Sequence, residues 1–210
     1  MRIAENVPSS YIVVRNCEID DIKTYDNSAG IYVDSEYSKV MITGNRIHDF
    51  EGEARGANGV LLFTGANDVV VANNEVFNLT TGVFYKHGVN DSLAIPIIRN
   101  NVIRDISYSG IMLATDNTLV ENNVIYNVGY AAIRVYNESS GCDRVGGFRT
   151  TIRHNTVASG AAGITLFGPT ACLDRGARHT VVKDNLVFGF ADAEKRGLAI
   201  WMWQGADQSN

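Results

Sequence analysis

Proline is scarce, with three in 210 residues, so nothing interrupts long stretches of extended backbone. No apolar run reaches the roughly 18 residues that a membrane span needs, which leaves a membrane out of the expected partners. The opening Met1-Arg2-Ile3-Ala4-Glu5-Asn6 lacks the apolar stretch of a secretory leader, so either the protein stays in the cytosol or a leader has been removed. Basic residues are in deficit: 18 Lys and Arg stand against 23 Asp and Glu, and the net charge of −5 excludes a general nucleic-acid binder. There are three cysteines and no Cys-x-x-Cys, which removes the usual zinc spacings; no metal site is assigned. What the chain does have is 45% hydrophobic residues, many in Val/Ile-rich runs, and 20 glycines, many just before those runs. That combination predicts short strands joined by tight turns, with enough apolar mass for a core.

A repeat runs through the chain. Lys39-Val-Met-Ile-Thr-Gly-Asn45-Arg-Ile-His-Asp-Phe50 is followed by Val69-Val-Val-Ala-Asn-Asn74-Glu-Val-Phe-Asn-Leu79, Pro96-Ile-Ile-Arg-Asn-Asn101-Val-Ile-Arg-Asp-Ile106 and Thr118-Leu-Val-Glu-Asn-Asn123-Val-Ile-Tyr-Asn-Val128. Shorter copies centre on Asn155 and Asn185, and an earlier one places Cys17 where the others have Asn. The seven anchors, 17, 45, 74, 101, 123, 155 and 185, span 168 residues in six periods, a mean of 28. Each copy has a second half of the form small-aliphatic-x-aliphatic, such as Gly59-Val-Leu-Leu62, Gly82-Val-Phe-Tyr85, Gly110-Ile-Met-Leu113, Ala132-Ile-Arg-Val135 and Gly197-Leu-Ala-Ile200.

Alternation of Ile/Val with other residues places every second side chain on one side of a strand. Each copy therefore predicts three short strands with one apolar face. That face can be buried only by stacking coil on coil. Asn between strands suits a tight turn because it tolerates left-handed backbone angles, and identical Asn residues on successive coils can bond along the stack. Glycine before the third strand predicts another sharp turn. Asn73, Asn100 and Asn122 form a second, structural column beside the anchors. No copy has room for a helix of ten or more residues, which removes leucine-rich repeats and α/β barrels. The predicted fold is all-β: a single parallel β-helix of about seven coils in one domain over residues 1–210, with loops flanking one face.

The motif Asn-x-Val/Ile-x-Asp/Asn-Ile/Val followed by Gly-Ile-x-Leu resembles the repeat of the pectin-lyase-like superfamily over about residues 11–203. The resemblance implies a right-handed winding of the β-helix and a substrate groove along the third strand. Its outward positions are then Tyr32 and Asp34, Leu61 and Phe63, Phe84 and Lys86, Met112 and Ala114, Arg134 and Tyr136, Thr165 and Phe167, and Ala199 and Trp201. Insertions at Lys23–Ala29, Glu51–Asn58, His87–Ala94, Asn137–Arg149 and Gly168–His179 all border this strand, while the Asn turns carry none. Flat aromatic faces suit sugar rings, and Lys86 and Arg134 suit carboxylate or sulfate groups. The predicted ligand surface is thus Tyr32, Asp34, Phe63, Phe84, His87, Met112, Phe167 and Trp201, with a polysaccharide or oligosaccharide as partner. The alternative is that loops fold over this face and make the aromatics a second apolar layer.

Elimination next to a uronate carboxylate needs a base and a cation for the carboxylate. Lys86 or Tyr136 is the expected base and Arg134 the carboxylate clamp. Phe84-Tyr85-Lys86-His87-Gly88 is similar to the Leu-Arg-His-Gly stretch of alginate-lyase and chondroitinase-B-like enzymes. By that resemblance Lys86 takes the place of the catalytic arginine, His87 is a loop or supporting residue, and the place of the catalytic lysine falls near Phe63. The paired carboxylates of a hydrolase are missing, since Asp34, Asp116 and Glu138 lie on separate coils; epimerase motifs are missing too. The leading expectation is a polysaccharide lyase. The alternative is a carbohydrate-binding or structural β-helix without catalysis.

Cys142 and Cys172 follow the third strand in adjacent coils and could form a disulfide, or stand as two thiols. Cys17 reads as a small packed residue, and His48, His154 and His179 as surface residues. No cofactor is required by any motif; Ca²⁺ could be held by Asp26, Glu51 and Glu53 or by Asp34 and Glu36, against the plainer reading of solvated acidic loops. Both ends read as uncapped coils, which predicts a fragment of a longer protein or end-to-end self-association, with a polar tail as the bland reading. An acidic-glycan substrate and a groove disulfide would place the protein in a secreted or periplasmic setting.

Overall fold

The computed structural model describes residues 11–25, 27–34, 39–52, 56–63, 66, 68–88, 95–136, 147–168, 177–190 and 197–204. The chain is a right-handed parallel β-solenoid in which every strand pair is parallel. A seven-stranded sheet forms the first face: Ile12–Arg15, Val40–Thr43, Val69–Ala72, Ile97–Arg99, Leu119–Glu121, Thr151–Arg153 and Val181–Lys183. The stack is therefore seven strands deep, and the five turns at Asn45, Asn74, Asn101, Asn123 and Asn155 have a rung on either side. A ten-stranded sheet forms the second and third faces. In the first two coils those faces are separate strands, Glu18–Ile19 and Arg46–His48, then Ala29–Val33 and Asn58–Leu62. In the four central coils they run together as single strands, Glu75–Gly88, Val102–Thr115, Val124–Val135 and Thr156–Gly168.

That fusion differs from the three separate strands expected. The cause is local. Where no insertion follows the second strand, one left-handed residue bends the chain without breaking the ladder: Asn78, Asp105, Asn127 and Ser159 hold φ of 52°, 54°, 54° and 52°. Pairing skips the bend and resumes, as in Phe77↔Arg104 and Leu79↔Ile106. The first two coils have the same bend at Asp21 and Asp49, with φ of 51° and 54°, but follow it with insertions, braced by the small parallel sheet of Lys23–Thr24 with Glu51–Gly52.

The core is the inward row of every face. Ile42, Val71, Ile98, Val120 and Ile152 stack on the first, Ile47, Val76, Ile103, Ile125 and Val157 on the second, and Ile31, Val60, Val83, Ile111, Ile133 and Ile164 on the third, all with no measurable exposure. The outward row of the first face is also apolar. Val13, Met41, Val70, Ile97, Leu119, Thr151 and Val181 pair rung to rung along its whole length.

The Asn anchors form a continuous internal ladder. Each donates Nδ2 to the Oδ1 of the next: Asn45 to Asn74 at 3.0 Å, Asn74 to Asn101 at 3.0 Å, Asn101 to Asn123 at 2.9 Å, Asn123 to Asn155 at 3.0 Å and Asn155 to Asn185 at 2.9 Å. The second Nδ2 proton goes to a carbonyl on the previous rung, Val71 in the case of Asn101. The left-handed angle sits one residue earlier than the anchor, at Asn16, Gly44, Asn73, Asn100, Asn122, His154 and Asp184. The two columns thus divide the labour: one turns the chain and the other satisfies the buried turn. Cys17 corrects another expectation. It is exposed rather than packed, its amide donating to Asn45 Oδ1 at 3.1 Å and its thiol to Arg15 O at 3.3 Å, because only the Asn45 rung flanks it among the described residues.

The glycines that open the third strand at Gly30, Gly59, Gly82, Gly110 and Gly163 do not turn the chain either; Gly197, with φ of 51°, is the exception among the described residues. Only Gly44, Gly147, Gly189 and Gly197 hold positive φ among the described glycines. Gly82 is there for space, since a Cβ would stand 2.5 Å from the carbonyl oxygen of Gly110 on the next rung. Gly82→Ala is expected to cost about 1–3 kcal/mol in chemical denaturation, as overpacking does, whereas a change at an exposed position such as Lys23→Ala stays near zero.

Candidate functional site

The third face carries its outward side chains in two rows. Register places Tyr32, Leu61, Phe84, Met112, Arg134, Thr165 and Trp201 in one line. Trp201 therefore lies beside Thr165, and Trp203 beside Phe167. This shifts the last strand by two residues from the expected alignment of Gly197 with Gly163: Leu198 pairs with Ala162 and Ile200 with Ile164. A two-residue slip keeps inward residues inward, so the apolar pattern alone does not detect it.

The middle of this face is closed. Leu61, Phe84 and Met112 are buried at 0%, 8% and 5% exposure and form a small apolar cluster outside the main core, flanked by Tyr32, Phe63, Tyr108 and Tyr136. Ala114 and Thr165 are buried as well. Of the predicted ligand surface, Phe84 and Met112 are floor rather than contact residues. Tyr32, Asp34, Phe63, Lys86, Arg134, Tyr136, Phe167 and Trp201 remain partly exposed around that floor. The side chain of His87 lies outside the described residues, as do Cys142, Cys172, Glu138, Asp26, Glu36 and Glu53. Among the described residues no three His, Cys, Asp or Glu side chains gather into a group able to hold a metal ion.

Arg134 is the centre of what is left. Its guanidinium carbon stands 4.3 Å from the ring centre of Tyr136, 5.1 Å from Tyr130, 5.3 Å from Phe167 and 5.7 Å from Tyr108. Nη1 donates to the Tyr108 hydroxyl, and Nε is buried with no hydrogen-bond partner among the described residues. A guanidinium held by ring faces keeps its charge for an anion. Tyr108 and Tyr130 stack on one another at 5.1 Å and 15°. Neither was named from the sequence, because both lie before the small residue that opens the third-strand pattern, on the bend of the fused strands. Their offset of 22 residues, one coil, was the available signal.

The two ends of the face are aromatic pairs, Tyr32 with Phe63 at 5.6 Å and Phe167 with Trp201 at 5.3 Å. Lys86 lies between, its Nζ 5.9 Å from the Phe63 ring and 5.6 Å from the Phe84 ring, donating to Asn27 Oδ1 at 2.7 Å. The rows of Lys86 and Arg134 are two rungs apart, about 10 Å at the usual strand spacing. Tyr85 faces the core instead, donates to Ala66 O at 2.6 Å, and has its phenol pushed up by burial, which removes it as a proton acceptor. Asp116 is buried and accepts from the Phe148 amide at 2.9 Å, a structural role.

A second polar cluster, outside the predicted site, lies on the outside of the second face. Glu18, Arg46, Glu75 and Arg104 link four rungs: Arg46 to Glu18 at 2.6 Å, Arg46 to Glu75 at 3.4 Å and Arg104 to Glu75 at 2.8 Å. His48, expected at the surface, is 6% exposed. It stacks on Phe77 at 4.6 Å and lies within hydrogen-bond distance of Asp49 and Glu18. His154 and His179 are exposed as expected. The network lowers its carboxyls: Glu75 through the Arg104 hydrogen bond, Asp105 through Asn127 and then Arg104, Glu18 through His48 and then Arg46, Asp49 through Asn78 and then His48. A carboxyl lowered in the folded state stabilises above its unfolded value and loses that contribution as pH falls through its folded value. Stability against urea is therefore expected to be flat above the ordinary values of 4.5 for Glu and 3.8 for Asp and to fall below them. The fall should be shallower in Arg104→Gln; an identical pH profile in that variant would contradict the assignment.

The sequence description of the right-handed β-helix region matches residues 5–157 and 89–206. A crystal structure of the Dettilon tailspike protein (gp208) is similar at 12% identity with a TM-score of 0.44 over 93% of this chain and 51% of that one, so the chain spans about half of its length. Among curated proteins none matches. Repeat, parallel register and family match agree: the chain belongs to the right-handed β-helix family.

Proposed function

We propose that the third face binds an acidic polysaccharide, with Arg134 as the contact for a uronate carboxylate or a sulfate. The observation that carries this is the Arg134 guanidinium set among four aromatic rings, with Tyr108 on one nitrogen and Nε without a partner among the described residues. Aromatic pairs at either end supply ring faces for neighbouring sugars. The reaction this arrangement supports best is β-elimination. Arg134 would neutralise the carboxylate and so acidify the adjacent carbon, and Lys86 or Tyr136 would take its proton; the C–O bond to the next sugar breaks as the carbon–carbon double bond forms, and the leaving oxygen takes a proton from the same group or from water. Lys86 can serve only in its neutral form and on release from Asn27. The same reading puts the protein outside the cytosol, where such polymers are met.

A second reading, a binding module without turnover, rests on Phe63. It stands near the place where the resembling lyases carry a lysine, and offers no titratable group. One assay separates the two. The protein is incubated with a panel of polyuronates and glycosaminoglycans, with and without Ca²⁺, while the ultraviolet absorbance of the conjugated double bond is followed. A rise that disappears in Lys86→Ala or Tyr136→Phe identifies a lyase and its substrate. Retention of a polymer in affinity electrophoresis with no rise identifies a binding module. Neither retention nor rise with any polymer removes the proposal.

A further inference from the structure

The first face has no part in that site, and its outer surface is unlike the rest of the molecule. Its outward row is apolar from Val13 to Val181, with Thr151 the one polar member. Val13, Met41 and Val181 are 53%, 43% and 46% exposed. The row beside it carries Arg15, Arg99, Arg153 and Lys183 against a single acid, Glu121, which Arg153 holds at 2.8 Å. Seven rungs make this strip about 30 Å long. A cationic, apolar face on a chain of net charge −5 leaves the remaining surface strongly acidic. One group of exposed acids stands out among the described residues. The corner after the second strands of the first two coils, residues 20–24 and 49–52, exposes Asp20, Asp21, Asp49 and Glu51 against Lys23 alone.

We infer that the first face is a self-association surface, and that it seats on this acidic corner of a second copy. Charge complementarity selects the occupant. Two copies of the basic row repel each other, whereas the basic row against the acidic corner brings opposite charges together while the aliphatic row leaves water. Because the two patches differ, the contact is heterologous; successive copies close into a ring or extend, and assembly is not limited to dimers. The strip is a modest interface, so association is concentration-dependent and weakened by salt.

The test is sedimentation velocity of the full chain across a concentration series at low and high salt. Wild type is expected to sediment above the 22.9 kDa monomer at low salt and to shift toward it as salt rises. Two variants sharpen the reading, one with the basic row reversed (Arg15→Glu with Arg99→Glu) and one with the corner reversed (Asp20→Lys with Glu51→Lys). Circular dichroism melts check that both fold. Each alone should associate at least tenfold more weakly. Mixed one to one they should associate again, since each then offers the charge that the other lost. A monomeric wild type, variants that assemble like wild type, or mixtures that stay monomeric would each overturn the assignment. So would loss of assembly in Met202→Glu with none in Met41→Glu, which would move the contact to the exposed Met202 of the last strand.

Discussion

Asn101→Ala is expected to remove about 2–4 kcal/mol of stability, far more than an ordinary polar-to-alanine change. The residue is 1% exposed in the middle of the ladder. Its Oδ1 accepts from both the amide and the side chain of Asn74, and its Nδ2 donates to Val71 O and Asn123 Oδ1. Deleting it leaves the Asn74 amide buried with no acceptor, and strips one bond from each of the other partners. Water has no path to replace them, because rungs lie above and below. Asn101→Asp is a sharper probe: it keeps the acceptor, but it sets an acidic group against Asn123 Oδ1 and should melt lower than wild type above the carboxylate range. The contrast is Asn185→Ala, at the half-buried end of the described ladder, where the Asn155 amide also loses its acceptor but lies nearer to water, so the loss should be about 1 kcal/mol. Urea denaturation of the three variants reads this directly; equal losses at 101 and 185 would mean that the ladder is not a cooperative internal column.

Arg134→Gln is expected to weaken binding of an acidic polymer by about 10–100-fold, the usual value of 1.5–3 kcal/mol for a hydrogen bond to a charged group. Arg134→Lys should fall between the two, since it restores the charge but not the planar fork. Both variants must first show a wild-type melt, because the Arg134 side chain also fills the space between Tyr130, Tyr136 and Phe167. Tyr130→Ala supplies an independent arm: it leaves the cation and removes one ring face, and should reduce affinity less than Arg134→Gln. Affinity electrophoresis or calorimetry measures all three, and unaltered binding in Arg134→Gln would show that the polymer lies elsewhere.

The fold was readable because its signal is periodic and local. Ile42, Val71, Ile98, Val120 and Ile152 recur at fixed distances from an Asn, and inward burial follows from strand alternation alone. The ladder was readable for the same reason. What escaped was whatever depends on neighbours rather than on period. Gly82 has a pattern that predicts a turn, but the packing distance to the Gly110 rung explains it. Trp201 sits beside Thr165 rather than Phe167 because alternation is blind to a slip of two. Phe84 and Met112 read as outward, which they are, yet outward is not exposed once Tyr32, Phe63 and Tyr136 lean over them. Tyr108 and Tyr130 escaped because the strand fusion that brings them to Arg134 arises from a missing insertion, and a motif search does not score missing residues. His48 escaped because its burial comes from Phe77 and from a carboxylate 30 residues away.

The corners of the solenoid carry a reserve of relievable strain. Among the described residues, 19 other than glycine hold positive φ, and 13 of them are Asn or Asp, the side chains that tolerate it. The other six are Tyr11, Lys39, Arg149, His154, Ser159 and His179. At each, an ordinary side chain occupies a conformation that disfavours it by about 1 kcal/mol. Natural variation that replaced these residues with Asn or Gly would be silent in the core and in the ladder, yet would raise the melting point one small step per corner. A lineage of such solenoids can therefore adjust its working temperature through its corners alone, and leave both long faces free to change partners.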